Sequence, residues 1–313
     1  MTVRIGTRAS ALAQWQTEHV LGLWRAHEPA LVVEIVPFTT VGDDLADAPL
    51  ERMDGTGFFT STIDRALLAG EIDVAVHSLK DLPVAMTPGL VIACVPRRGA
   101  VEDVLCARDG LQLRDLPAGS CVGTSSLRRT AQLRALRPDL AYVSLRGNVP
   151  TRLARVERGE LDAVVLARAG IERLGLEHRA TEVFAPADVL PAPAQGALAV
   201  QTRAGAHTLQ ARLAVLDHAP TRHAVDAERA LLHQLRGGCS VPVGALARFD
   251  DGRVHLEAGV FALEGTPAHR VTVEGGSPEA VGAAAARALL ERGAGAILEA
   301  LEREPRLAVE EPR

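Results

Sequence analysis

The sequence is poor in cysteine, aromatic residues, lysine and long apolar runs, and two of these shortages exclude whole classes of protein. Its four cysteines, Cys94, Cys106, Cys121 and Cys239, lie far apart with no C-x-x-C pair. That argues against a zinc site, so no metal is expected, and against a disulfide scaffold. Aromatics make up 3% of the chain, and Ala, Leu, Val, Arg and Gly supply its bulk instead. No run of about 18 apolar residues occurs, so no segment is expected to span a membrane. Neither sign of charge dominates: the net charge is −5 with acids and bases interspersed, which gives no support for a nucleic-acid or anionic-membrane partner. The opening "MTVRIGTRAS" has no apolar h-region or cleavage site and reads as the first strand of a folded domain, so export is not expected. What remains is a cytoplasmic α/β protein.

A chain of 313 residues exceeds what one core usually holds, and 47% hydrophobic residues suffice for two or three. Strand-like runs alternate with helical patterns: "VRIGT", "SALAQWQTEHVLGLW", "LVVEIVPFTT", then "STIDRALLAG", "IDVAVHS" and "GLVIACVP". Such alternation predicts βαβ units on a largely parallel sheet. In the first helix Leu12, Trp15, His19 and Leu23 fall on one face, and Ser10 is placed to cap it.

The chain then echoes itself. "IGTRASALAQ" (5–14) returns as "VGTSSLRRTAQ" (122–132), and "LLAGEIDVAV" (67–76) as "VERGELDAVV" (156–165), in the same order. The first pair reads as strand, Gly-Thr and helix start. The second reads as helix, C′ glycine and buried strand. Two related α/β domains facing one cleft explain both echoes economically. Because the spacing between them differs, chance recurrence stays open on pattern alone.

"LPAPAQGALAVQTR" (190–203), rich in proline and glycine, reads as a crossing back toward the first domain. From about Asp217 a charged helix leads to strand-like runs at "VPVGALARF", "RVHLEAGVFAL" and "HRVTVEGG", the first two joined through an Asp-Asp-Gly turn, and then to a helix. The expected division is 1–97, 98–193, a crossing at 194–216, and a smaller α+β domain at 217–313.

Several stretches carry candidate chemistry. The turns after Gly6-Thr7 and Gly123-Thr124 open helices, whose free N–H groups suit a carboxylate or phosphate. The first adds Arg8 and Ser10, the second Thr124, Ser125, Ser126, Arg128 and Arg129; ordinary capping with solvated arginines is the alternative for either turn alone. "SLRGNVPTRLARVERG" groups Arg146, Arg152, Arg155 and Arg158, of which Arg155 and Arg158 read as a solvated face and the other two stand even between ligand and solvent. "VAVHSLKDLP" ends an apolar strand with His77, Ser78, Lys80 and Asp81, either cleft chemistry or a surface Lys–Asp pair. Cys239, in "LRGGCSVPVG", reads as a packed small hydrophobe, as a nucleophile with no nearby histidine better than His233, or as an attachment point. Spacing alone favours the first of these.

Taken together, "RIGTRAS", "AVHSLKDLP", "VGTSSLRR", "SLRGNVPTRL", "LPAPAQGAL" and "AERALLHQLRGGCSVPVG" resemble the porphobilinogen deaminase (hydroxymethylbilane synthase) family of tetrapyrrole biosynthesis, in the family's order and over nearly the whole chain. The resemblance implies two doubly wound lobes of type II periplasmic-binding-protein architecture and a small third domain. It implies a monomeric cytoplasmic transferase of the porphyrin and heme route that deaminates porphobilinogen. Four such units would be condensed stepwise onto a primer and released as hydroxymethylbilane. Cys239 would carry that primer, a dipyrromethane cofactor, as a thioether. Asp81 would be the catalytic carboxylate. Ser78, Lys80, Thr124, Ser125, Ser126, Arg128 and Arg129 would hold the cofactor, Arg8, Ser10, Arg146 and Arg152 the substrate, and Gln195 would lie in the hinge.

The stretch "LERMDGTGFFTSTID" departs from the family pattern: Thr56 stands where a lysine is usual, Arg52 stands in for another, and Ser61-Thr62 replaces Lys-Glu. Ala194 occupies a usual glycine position. Two rivals follow from other classes. A two-lobed organic-acid binding protein requires an export signal and no cysteine-bearing third domain. A tetrapyrrole-binding paralogue without turnover is supported only by the glycine-loop substitutions.

Overall fold

The computed structural model describes residues 2–38, 61–235 and 241–303. Cys239, Arg52 and Thr56 lie outside the described residues. In chain order the strands are β1 (Val3–Arg8), β2 (Val33–Phe38), β3 (Val74–Ser78), β4 (Leu90–Cys94), β5 (Asp103–Ala107), β6 (Cys121–Gly123), β7 (Ala141–Val143), β8 (Ala163–Ala167), β9 (Glu182–Val183), β10 (Leu198–Arg203), β11 (Val243–Asp250), β12 (Arg253–Phe261) and β13 (Ala268–Gly275). They form two five-stranded sheets, β2-β1-β3-β10-β4 and β7-β6-β8-β5-β9, and a three-stranded sheet β11-β12-β13. In each five-stranded sheet the first three strands run parallel and the fourth is antiparallel to both neighbours. That fourth strand lies next to a crossing: β5 opens the second sheet and β10 rejoins the first. The architecture is the expected pair of related α/β lobes.

The sequence echoes are structural equivalents. Ile5 pairs with Val74 and Gly6 with Ala75, while Val122 pairs with Ala163 and Gly123 with Val164. A Cβ on Gly6 would meet Ile72 Cδ1 at 2.3 Å, and one on Gly123 would meet Leu161 Cδ1 at 2.8 Å, so both strands need glycine where the echoed Ile72 and Leu161 press against them. The echoed aspartates also match. Asp73 exchanges backbone and carboxylate bonds with Arg4 (N–H to O 2.8 Å, Oδ2 from N–H 3.0 Å), and Asp162 does the same with Cys121 (2.9 and 2.7 Å). A repeated pattern of close approach and side-chain clamping at matched register is more than coincident patterning.

Helix α1 (Ala11–His27) is capped as expected, Ser10 accepting from Ala13 N–H at 3.3 Å. The apolar stripe in its sequence is not its buried face. Ala13, Gln16, Thr17, Val20, Leu21 and Trp24 face the sheet, while Trp15 is 38% exposed and stacks on His19 with ring centroids 4.9 Å apart. The Arg173 guanidinium of the second lobe lies over the Trp15 ring, 5.7 Å from its centroid. Part of this stripe therefore serves a contact between lobes.

The third sheet is antiparallel throughout, with helices α7 (Ala219–Gln234) and α8 (Pro278–Glu291) sharing its core; we number described helices in order, α2 to α6 being Ser61–Ala69, Leu127–Leu136, Val149–Glu157, Arg168–Glu172 and His207–Leu213. The Asp250-Asp251-Gly252 corner turns β11 into β12 with positive φ at Asp251 (50°) and Gly252 (74°), as a two-residue hairpin requires. At the crossings, Gly99 N–H donates to Gly196 O (3.1 Å), and a Cβ on Gly196 would meet Ala100 O at 2.4 Å. Ala194 sits at φ 61°, which explains why glycine suits this position: a side chain there costs about 1–2 kcal/mol. Its N–H donates to Glu228 Oε2 (2.5 Å). The same fully buried carboxylate accepts from Arg98 (2.7 and 3.0 Å) and from Ala247 N–H (2.7 Å). One charge from the third domain thus fastens Arg98, a crossing and its own sheet, and this bonding is what makes its burial tolerable. No helix among the described residues is long and apolar enough to cross a membrane.

Candidate active site

Asp81 ends a single 3-10 turn, Leu79–Asp81, at the carboxyl end of β3, where parallel sheets open onto their ligand crevice. Buried Leu79 pins the turn: its N–H donates to Ala197 O (3.0 Å), and Leu82 N–H returns to Leu79 O (3.2 Å). Asp81 itself is exposed. A cavity of about 60 Å³ lies beside it, lined in part by Arg8, Ser10, Gln16, His77 and Ser78. Gln16 donates to Ser78 Oγ at 2.8 Å. Burial pulls the His77 imidazole down to about 4, with Gln201 opposing and the charge of Arg8 adding to the fall, so this ring is neutral at neutral pH.

Lys80 is the only lysine in the sequence. Its ammonium donates to Gln195 Oε1 (3.2 Å), and burial drops it to about 8, with Asp81 raising it and Arg129 lowering it. Gln195 continues the chain of bonds, donating to Val101 O (2.8 Å) and to Asp103 Oδ1 (2.9 Å). Gln195, in the crossing segment, therefore ties the Asp81 turn of one lobe to the first strand of the other.

Asp103 collects the arginine pair. Arg129 donates to its Oδ1 through Nε (3.0 Å) and Nη2 (2.7 Å), and Arg128 Nη1 lies 2.7 Å from its Oδ2. Arg128 also donates to Leu190 O (2.8 Å), and Arg129 to Val165 O (2.9 Å). Burial alone would raise Asp103, but the two arginines outweigh it and hold the carboxyl well below the usual range. Arg128 and Arg129 are 3% and 7% exposed, so both are embedded in the lobe rather than projecting freely from a helix start.

The hydroxyls of the second turn are also engaged locally. Thr124 Oγ1 accepts from Ser126 N–H (3.3 Å), and Ser125 Oγ accepts from Leu145 N–H (2.8 Å) while donating to Leu145 O. Ser126 is the N-cap residue of α3 without a side-chain cap bond. On α4, Arg152 Nε donates to Gly147 O in the loop before the helix (2.8 Å). Burial lowers Arg152 to about 10, Arg129 and Arg146 adding to the fall while Asp81 opposes it. Arg152 therefore feels Asp81 across the cleft, which brings together Arg129, Arg146 and Arg152 from one lobe with Lys80 and Asp81 from the other. Arg155 and Arg158 instead pair with Glu160 at the surface, as their solvated-face reading expects.

The sequence reading missed Asp103, Glu228 and Arg98. Two adjacent buried arginines imply a buried acid, but nothing in "VEDVLC" distinguishes Asp103 from Glu102. Burial pushes the thiols of Cys94 and Cys106 up to about 12 and 11, so neither is a nucleophile at neutral pH. Cys239 falls outside the described residues, and His233 is exposed in the last turn of α7.

Comparison with known proteins identifies the family. The family profile described as "Porphobilinogen deaminase, dipyromethane cofactor binding domain" matches residues 3–211, and "Porphobilinogen deaminase, C-terminal domain" matches 223–291. Relatives named porphobilinogen deaminase include one from Desulforudis audaxviator, 49% identical over 298 residues, covering 95% of this chain and 96% of the relative. Another from Thermobifida fusca is 51% identical over 289 residues, covering 90% and 89%. A solved periplasmic VFT2 domain of Bordetella pertussis BvgS aligns at 18% identity and a TM-score of 0.40 over 68% of this chain and 85% of that one. The profile matches and full-length relatives decide the question: the chain belongs to the porphobilinogen deaminase family.

Proposed function

We propose that this chain is a hydroxymethylbilane synthase working as a cytoplasmic monomer on porphobilinogen, with neither nucleic acid nor membrane as partner. In this reading residues 1–97 with 194–216 form the catalytic lobe, 98–193 the second binding lobe, and 217–313 the domain carrying Cys239. The observation that carries it is one exposed carboxylate, Asp81, beside a cluster of cations drawn from both lobes.

The donor set fits a dipyrromethane cofactor on Cys239. Such a group brings several carboxylates, and Lys80, Arg129 and Arg152 crowd together with burial driving Lys80 and Arg152 below their ordinary values. Anionic carboxylates would relieve that crowding. When bound, the cofactor supplies the nucleophilic pyrrole α-carbon. Lys80, Thr124, Ser125, Ser126, Arg128 and Arg129 would hold its carboxylates with Ser78, and Arg8, Ser10, Arg146 and Arg152 would hold those of the incoming substrate. Asp81 accepts hydrogen bonds from pyrrole N–H groups and stabilises the positive charge that develops as ammonia departs. Each condensation would release one ammonium ion, the proton given up by the attacking α-carbon balancing the ammonia that departs from the substrate.

The test is stoichiometry. Purified enzyme given porphobilinogen should release four ammonium ions per linear tetrapyrrole. Binding of substrate without ammonium release would favour the non-catalytic paralogue instead.

Lys80 gives a second expectation. Its folded value, about 8, lies below its ordinary 10.5, so between these limits the unfolded chain binds the extra proton. Stability of the unloaded Cys239→Ser protein should therefore rise with pH across this window by roughly 2–3 kcal/mol more than in the same protein carrying Lys80→Met. Parallel stability profiles would show that Lys80 is not desolvated.

A further inference from the structure

Helix α7 touches the catalytic turn directly. Val225 packs with Leu79 and Leu82, which flank the Lys80–Asp81 pair. One helical turn later Arg229 extends from the same face and gathers the irregular segment that leaves the turn. Its Nη2 donates to Pro83 O (2.9 Å) and Val84 O (3.3 Å) and reaches the Met86 sulfur at 3.7 Å, while Nη1 lies 3.5 Å from Leu82 O. Burial lowers the Arg229 pKa and Asp226 opposes it, as for a guanidinium withdrawn from water and balanced mainly by carbonyl oxygens.

The segment Leu82–Met86 belongs to no helix or strand, and Pro83 has no N–H to give to one. Arg229 is thus a principal anchor of the chain immediately after Asp81. The next residue back, Glu228, fixes the same helix to Arg98, Ala194 and Ala247. The helix ends at Gln234, and Leu235 caps it, four positions before Cys239 in the sequence.

We propose that Arg229 is a positioning residue for the reaction: it locks the turn bearing Asp81 to helix α7, so that the carboxylate keeps a fixed place relative to the third domain. The proposal rests on the reading of Asp81 and Cys239 above. A planar guanidinium with five donors can serve three diverging carbonyls at once, which an ammonium on a flexible stem cannot hold in one geometry. Displacements of about 1 Å at a reacting centre cost on the order of a hundredfold in rate.

The experiment compares wild type, Arg229→Met, Arg229→Lys and Val254→Ala, the last a cavity in the third domain's own core. Intact mass reports primer loading, thermal midpoint reports folding, and kcat and KM report the reaction. Arg229→Met should load fully and lose about 10- to 100-fold in kcat, with KM within about threefold. Arg229→Lys should fall between it and wild type, and Val254→Ala should lose stability while keeping kcat within about threefold. Wild-type kcat in folded, loaded Arg229→Met would overturn the proposal, as would equal kcat losses in Arg229→Met and Val254→Ala at matched midpoints. Should Arg229→Met fail to fold, undiminished kcat in Arg229→Lys would overturn it. Wild-type protein lacking primer mass would instead refute the underlying reading, independently of any Arg229 variant.

Discussion

Asp81→Asn is expected to keep its covalent primer and to turn over on the order of a thousandfold more slowly. The substitution preserves shape and removes charge. In the proposed mechanism the wild-type carboxylate accepts from pyrrole N–H groups and opposes the positive charge that grows on the ring. An amide is neutral, and its NH₂ would point a donor at another donor. Among the described residues around it, Lys80, Arg129, Arg146 and Arg152 are cations, His77 is held neutral by burial and Asp103 is engaged by Arg128 and Arg129, so none can substitute. Primer loading need not suffer, since the cofactor's carboxylates are assigned to Lys80 and the second lobe. The measurement is kcat at saturating porphobilinogen alongside intact mass. A loaded variant within about tenfold of wild type would remove Asp81 from the catalytic role.

Asp103→Asn should be the most damaging substitution away from the reacting atoms. Asp103 is fully buried and neutralises two arginines that are nearly as buried. Removing one partner of such a group strands uncompensated charge and costs about 3–5 kcal/mol. For a chain of this size that corresponds to a thermal midpoint lower by roughly 10 °C. The pH dependence has a definite sign. The folded carboxyl is held below its unfolded value, so its contribution is fully present above about pH 4 and disappears only as the pH falls through the depressed folded value. The difference between wild type and Asp103→Asn should therefore be constant from neutral pH down to about 4 and shrink below it. Gln195 would lose its 2.9 Å acceptor as well, loosening the bond chain to Lys80. Equal midpoints for the two proteins at pH 7 would contradict this account of the hinge.

Much of the architecture was legible because it depends on local chemistry. The echoes "GEIDVAV" and "GELDAVV" encode a C′ glycine, a residue pressed against a strand glycine and an aspartate clamping the strand's start, and each part recurs in both lobes. The Asp-Asp-Gly corner and the Ser10 cap were legible for the same reason. The stripe of α1 was not. Leu12, Trp15, His19 and Leu23 share a face, but the sheet takes the face of Ala13, Val20 and Trp24, and periodicity cannot say which neighbour each face meets. Long-range pairing was equally hidden. Arg128 and Arg129 find Asp103 across 26 or fewer positions, and Arg98 finds Glu228 across 130, distances over which sequence spacing carries no geometric information. Ala194 shows the reverse case. Its φ of 61° gives a physical reason for the glycine usual at this position.

The account depends most on the tether, and intact-protein mass tests that directly. Protein purified from cells should weigh two pyrrole units more than its sequence, peptide mapping should put that mass on Cys239, and Cys239→Ser should lack it. Active wild-type enzyme with an unmodified Cys239 thiol would contradict the account.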